Sequence, residues 1–289
     1  MLQVIFFATM LGIALTFLEG DRAEPVVTLF DRLNDAMVML VHIAMKIAPV
    51  GVGALLFKVV GNTGFSVLIA LSVYALVVLL GLLAHLTITY GSVVRFWAKL
   101  PFLAFLGAIK EALVVAFSTS SSSATLPVTK ECCEDNLNVN AETTSFVLPL
   151  GATVNMDGTA LYQGVAAIFI AQIYGMDLSF GDQVTIVVSA TLASVGAAGV
   201  PGAGMITLAM VLTAIGVPTE GLALILGVDR ILDMFRTATN VVGDSTATVL
   251  MARLEGTELR IMTDEEDAGS PDKGFEGRLD HEQTSVKSD

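Results

Sequence analysis

The chain has 289 residues, of which 54% are hydrophobic and 15% charged, and its mean hydropathy is +0.75. Soluble domains carry charge on about a quarter of their residues, so this composition excludes an ordinary water-soluble enzyme or binding module and implies an integral membrane protein. The net charge of −13 sits largely in residues 255–289, where 11 Asp or Glu against 4 Lys or Arg give −7, and no basic stripe offers a nucleic-acid footprint.

Apolar stretches at 2–18, 36–60, 65–93, 146–173, 184–215 and 222–252 are each long enough, or nearly so, to cross about 30 Å of hydrocarbon. The first lacks a basic n-region and precedes further spanning stretches, so it reads as a membrane helix rather than a secretory signal. His42 and His85 stand alone in apolar stretches and His281 lies in the tail. Without metal-ligand spacing they read as hydrogen-bonded packing residues, not a transition-metal site. Arg95, Lys99, Lys110 and Lys130 occupy or flank short connections, which places those connections and the C-terminal tail in the cytoplasm. Cys132 and Cys133 are adjacent, a spacing that suits neither a redox pair nor a disulfide framework. Residues 255–289, rich in Gly, Ser, Pro and acidic side chains, read as a disordered tail.

Two regions do not read as clean spans. Residues 102–128 hold the run Ser118, Thr119, Ser120, Ser121, Ser122 and Ser123, and residues 194–204 read Ser-Val-Gly-Ala-Ala-Gly-Val-Pro-Gly-Ala-Gly. Each should break a helix, and broken backbone at membrane depth is tolerated only where protein buries it or a wet cavity borders it. Both regions therefore read as re-entrant hairpins whose tips meet inside the protein. Each is followed by an apolar stretch with a polar patch, at 151–158 and at 229–244. Such doubling is the layout of an internal repeat, and paired interrupted segments point to a transporter site.

In the first patch Pro149, Gly151 and Gly158 weaken the helix around Asn155 and Asp157, which would aim carbonyl oxygens inward. Carbonyls, amides and carboxylates are hard ligands suited to a hard cation, with sodium the natural candidate. In the second patch, Asp229, Asp233, Arg236, Thr237, Asn240 and Asp244 share an arc of about 100° on a helix that turns roughly 100° per residue. Each charge costs about 2.5 to 3.5 kcal/mol at the centre of a membrane helix, so such groups are kept for a substrate or ion path.

Taken together, the Ser-rich hairpin ending in Thr125-Leu126-Pro127-Val128-Thr129, the block Asn155-Met156-Asp157-Gly158-Thr159, the tip Gly199 to Gly204 and the helix running from Asp233 through Arg236 and Asn240 to Asp244 resemble the dicarboxylate/amino acid:cation symporters, the glutamate transporter family. The resemblance covers residues 2–254 and implies an all-α membrane protein, with transmembrane helices and two re-entrant helical hairpins in an inverted repeat. It divides the chain into a partial scaffold at 1–100, a transport core at 101–254 and the tail at 255–289. It also implies N-terminal truncation, with this chain starting near the end of the family's fourth helix, and a homotrimer in the cell membrane for the whole protein.

For the site, the resemblance implies that substrate closes between Ser121, Ser122 and Ser123 on one tip and Val200 to Gly204 on the other, with Met156 alongside. Arg236 would pair with a side-chain carboxylate and Asp233 with an ammonium, while Thr159, Thr237 and Asn240 add hydrogen bonds. One sodium site would use Gly151, Asn155, Asn240 and Asp244, and a second the carbonyls of Thr153, Ser194, Val195 and Ala197. Asn155 and Asp157 would contribute to a third. The family often has an arginine where this chain has Ser120, and whether Arg230 compensates is left open by the sequence; Arg230 could pair with Asp233 or line the cytoplasmic path.

A site holding both Asp233 and Arg236 matches a ligand with an ammonium and an additional carboxylate, hence aspartate or glutamate, since either a neutral amino acid or a plain dicarboxylate leaves one buried charge unpaired. The expected activity is sodium-coupled symport by alternating access with no organic cofactor. Protons as the coupling ion, a C4-dicarboxylate substrate and an anion channel are the alternatives. A serine hydrolase is disfavoured because no GxSxG elbow surrounds the serines.

Overall fold

The computed structural model describes residues 2–18, 22–63 and 66–261, and among them every regular element is a helix. Three long helices come first: α1 (Leu2–Thr16), α2 (Glu24–Thr63) and α3 (Ser66–Ala84), the last prolonged by π-helical turns at His85–Tyr90 and Val93–Trp97. The continuous rod Leu68–Trp97 has 30 residues, more than the roughly 20 that a bilayer core requires.

The serine run breaks the chain as its composition demands. Helices α4 (Phe102–Ala108) and α5 (Lys110–Thr119) meet at 65° around Ile109. Next, α5 stops at Ser120, whose φ of 54° lies in the left-handed region, and α6 (Ser122–Glu131) starts on Ser121, whose hydroxyl accepts from the Ala124 N–H at 3.1 Å. Serine competes for backbone groups inside a helix and favours its ends, so consecutive serines can close one helix and cap the next.

The stretch 146–173, expected as one span, is two helices. The first, α7 (Ala141–Val154), ends at Asn155 (φ −89°, ψ 72°) and Met156 (φ −111°, ψ 52°), and α8 (Asp157–Ile173) starts afresh. Pro149 lies inside α7 without ending it, so the break falls where Gly151 and Gly158 flank the polar residues. The stretch 184–215 is likewise divided. Ser179 and Asp182 form a capping box that opens α9 (Phe180–Val195), the link 196–202 ends on Gly202 at φ +77°, and α10 (Ala203–Ala214) returns. The last stretch runs unbroken, as α11 (Leu222–Leu254) with 33 residues.

That helix is the axis of the fold. On one side, Ile225 and Leu232 join Leu71 and Val78 of α3, Tyr162 and Ile170 of α8, Ile186 of α9 and Leu208 of α10 in one apolar core. On the other, Val241, Val242 and Val249 join Val94, Phe105 of α4, Ala112 of α5 and Leu148 of α7 in a second. Between the two cores α11 carries its polar face.

Beyond α11 the chain does not leave at once as a free tail. Thr143 donates to Glu255 at 2.5 Å, Asn138 Nδ2 donates to the Glu258 carbonyl at 2.9 Å, and the Arg260 N–H donates to the Leu137 carbonyl at 3.4 Å. Leu259 and Ile261 pack on the second core. Residues 255–261 are therefore docked, contrary to the expectation of disorder, because alternate side chains find apolar contact while the backbone bonds the 137–144 connection. The rest of the expected tail, 262–289 with His281, lies outside the described residues.

Candidate functional site

The turn between α5 and α6 touches the turn between α9 and α10. Ser121 Oγ donates to the Gly199 carbonyl at 2.6 Å, and the Ser123 N–H donates to the same oxygen at 3.2 Å. Under these tips runs the polar face of α11, turned inward: Asp229, Asp233, Arg236, Thr237, Asn240 and Asp244 are each no more than 6% exposed.

Tips and helix together enclose a cavity. Nine of the eleven expected substrate residues line it, namely Ser122, Met156, Thr159, Val200, Gly204, Asp233, Arg236, Thr237 and Asn240. Ser121 and Ser123 do not; they join the tips instead. Ser120, Ala197, Ala198 and Gly199 complete the lining.

The chemistry of the cavity centres on Arg236. Its Nη2 donates to Asp233 Oδ1 at 2.6 Å, and its Nη1 lies 3.8 Å from Asp229 Oδ1 without a hydrogen-bond partner among the described residues. The guanidinium carbon stands 4.3 Å above the Tyr162 ring, a cation–π arrangement. Gly204 also packs against it, and an added Cβ there would stand 2.8 Å from that carbon. Asp233 Oδ2 accepts the Gly202 N–H at 2.9 Å, tying the second tip to α11. Arg230 makes no salt bridge to Asp233, and its buried Nη1 has no partner among the described residues. Gly204→Ala should therefore displace the guanidinium, lower the melting temperature by several degrees and weaken at least about tenfold any ligand that the guanidinium holds. A ligand titration beside a thermal melt checks this.

The residues expected to hold cations fall into four places. Gly151 abuts Asp244, whose Oδ1 accepts Asn155 Nδ2 at 3.0 Å, while Asn240 Oδ1 accepts the Gly158 N–H at 2.9 Å. The Gly151 carbonyl already accepts the Asn155 N–H at 2.8 Å. At the end of α9, the Ser194 carbonyl accepts the Ala197 N–H at 2.9 Å, with Val195 beside it. Thr153 is exposed near the end of α7, its hydroxyl donating to the Pro149 carbonyl at 3.0 Å. Asp157 faces α3: Oδ2 meets His85 Nε2 at 2.6 Å and accepts from the Tyr90 hydroxyl, while Oδ1 accepts the Gly158 N–H at 2.8 Å.

Several of these partners escaped the reading of the sequence. Tyr162 lies three residues after Thr159 on α8, a spacing that puts both on one face and was available as a signal. His85 reads as a hydrogen-bonded packing residue, and nothing in the spacing of His85 and Tyr90 points to Asp157 as their shared partner.

Residues 1–254 match the model of the sodium:dicarboxylate symporter family. The chain is 42% identical to excitatory amino acid transporter 1 of Ambystoma tigrinum over 265 residues, covering 90% of this chain and 48% of that protein. It is 45% identical to the Homo sapiens excitatory amino acid transporter 1 over 246 residues (83% of this chain, 45% of that protein). With excitatory amino acid transporter 3 of Mus musculus the identity is 44% over 266 residues (90% and 50%). The chain thus spans about half the length of the curated relatives it matches. The family model and the four motifs coincide along the same residues: this chain belongs to the sodium:dicarboxylate symporter family.

Proposed function

We propose that the protein is a secondary active symporter that carries aspartate or glutamate together with sodium by alternating access. The observation that carries this reading is the buried Asp233–Arg236 pair bordering the cavity between the tips, with Nη2 and Oδ1 at 2.6 Å. A substrate ammonium answers Asp233, and a substrate side-chain carboxylate answers the planar fork of Arg236. The second carboxylate, Asp229, makes two acids around one guanidinium, which favours a ligand bringing an ammonium over a plain dicarboxylate. The names of the relatives, excitatory amino acid transporters, support the same substrate class.

Ser122, Met156, Thr159, Val200, Gly204, Thr237 and Asn240 would complete the substrate site. Sodium would be held by Gly151, Asn155, Asn240 and Asp244, by Thr153, Ser194, Val195 and Ala197, and by Asn155 with Asp157. The hairpins α5–α6 and α9–α10 would be re-entrant halves of an inverted repeat, entering the bilayer from opposite sides, with the tail in the cytoplasm and three copies of the whole protein assembling in the cell membrane. The packing of α3 on α8 and α11 supports counting α3 with the moving core rather than with the scaffold. Because hairpin carbonyls would ligate the ion, sodium favours a closed second tip and thereby couples ion and substrate occupancy. Uptake of labelled aspartate into proteoliposomes tests the reading: it should require an inward sodium gradient, resist a proton gradient and be competed by glutamate more strongly than by succinate. Uptake driven by protons without sodium would refute it.

A further inference from the structure

We infer that His85 and Tyr90 of α3 are positioning residues for the Asp157 carboxylate, setting the protein's affinity for sodium without touching the substrate. This rests on the proposed sodium coupling. In an α-helix residues five apart point about 140° away from each other. The π-helical turn His85–Tyr90 adds a residue to the turn and brings the two rings to 4.8 Å between centroids in an edge-on contact. Both then reach one oxygen, Asp157 Oδ2. Single π turns inside α-helices are uncommon and gather at functional sites.

A carboxylate only accepts, so His85 Nε2 carries a proton toward Asp157, while Nδ1 pairs with the Thr89 hydroxyl at 3.2 Å. With Oδ1 also accepting the Gly158 N–H, three of roughly four lone-pair directions of the carboxylate are filled. One direction is open, and the carboxylate cannot swing away to refill the others. The Tyr90 hydroxyl also crowds Gly243 of α11, as does the Asn155 amide, since a Cβ on Gly243 would overlap each of them. Only Gly243 has room between the clamp and the next polar pair, Asn155 and Asp244, which bond at 3.0 Å. Partners standing behind a metal ligand in this way commonly govern about 10- to 100-fold in ion affinity.

The test uses the purified protein with sodium chloride titrated against choline chloride, reading the sodium-dependent rise in melting temperature without substrate and the sodium requirement of aspartate binding. Tyr90→Phe and His85→Ala should raise the half-saturating sodium concentration about tenfold, leave aspartate affinity at saturating sodium unchanged, and His85→Gln, which keeps an N–H in reach, should restore most of the loss. An unaltered sodium midpoint in Tyr90→Phe and His85→Ala overturns the inference. So does a loss of aspartate binding at every sodium concentration that His85→Gln does not rescue, which would mark packing alone. If the unaltered protein is stabilised by sodium yet binds no aspartate, the substrate reading fails, and the melting series still decides the role of His85 and Tyr90.

Discussion

Arg236→Ala is expected to abolish binding of acidic amino acids while the protein still inserts in the membrane. The guanidinium is held by Asp233 at 2.6 Å, by the nearby Asp229 and by the Tyr162 face, so its removal both deletes the proposed partner of the substrate carboxylate and leaves those two buried carboxylates without it. Removing one partner of a buried charge pair costs about 3–5 kcal/mol, or roughly two to four orders of magnitude in Kd. Part of that cost falls on the fold itself and should lower the melting temperature. Adding Asp229→Asn to the variant should recover stability by relieving the excess negative charge, but not binding. Arg236→Lys should bind weakly, because an ammonium neither forms a two-pronged pair with a carboxylate nor stacks as a plane on Tyr162. Aspartate titration of the three variants checks the set; an Arg236→Ala protein that binds aspartate normally would remove the basis of the substrate assignment.

The second large effect concerns the crossing of α8 and α11. A Cβ on Gly158 would stand 2.9 Å from the Arg236 carbonyl, 2.8 Å from Asn240 Oδ1 and 3.3 Å from Thr239 Cβ. Two of these neighbours belong to the scaffold of α11 and the third holds the Gly158 N–H itself, so none can retreat without breaking a bond or parting the helices. Overpacking of this kind costs about 1–3 kcal/mol, and Gly158→Ala should lower the melting temperature by several degrees. Gly107→Ala on α4 is the control, since nothing lies within 4 Å of its added methyl, and replacing a helical glycine there should stabilise slightly. Equal melting temperatures for the two variants would contradict the tight crossing.

Much of this site was legible because its signals are periodic or compositional. The inward face of α11 follows from the spacing of Asp229 through Asp244, as polar groups in an apolar helix must gather on one side to escape lipid. The breaks at Ser120 and at Gly202 follow from residues that favour helix ends or positive φ. Other features depended on chain segments far apart in sequence. Asp157 is bound by α3 some 70 residues earlier, and the pairing rests on a π turn that a search for 3.6-residue periodicity cannot register. Tyr162 reads as one more aromatic in an apolar helix until Arg236 lies over it. The docking of 255–261 was hidden by the composition of the whole tail, whose acidic remainder outweighs the contribution of Leu259 and Ile261.

On the proposed function, the cavity under the two tips takes an amino acid with an additional carboxylate and does so together with sodium. Calorimetric titration of aspartate into the protein in sodium chloride and then in choline chloride tests it most directly. Binding in sodium that weakens about a hundredfold in choline, with no comparable binding of alanine, is the predicted result; equal aspartate affinity in both salts, or alanine bound as tightly as aspartate, would contradict it.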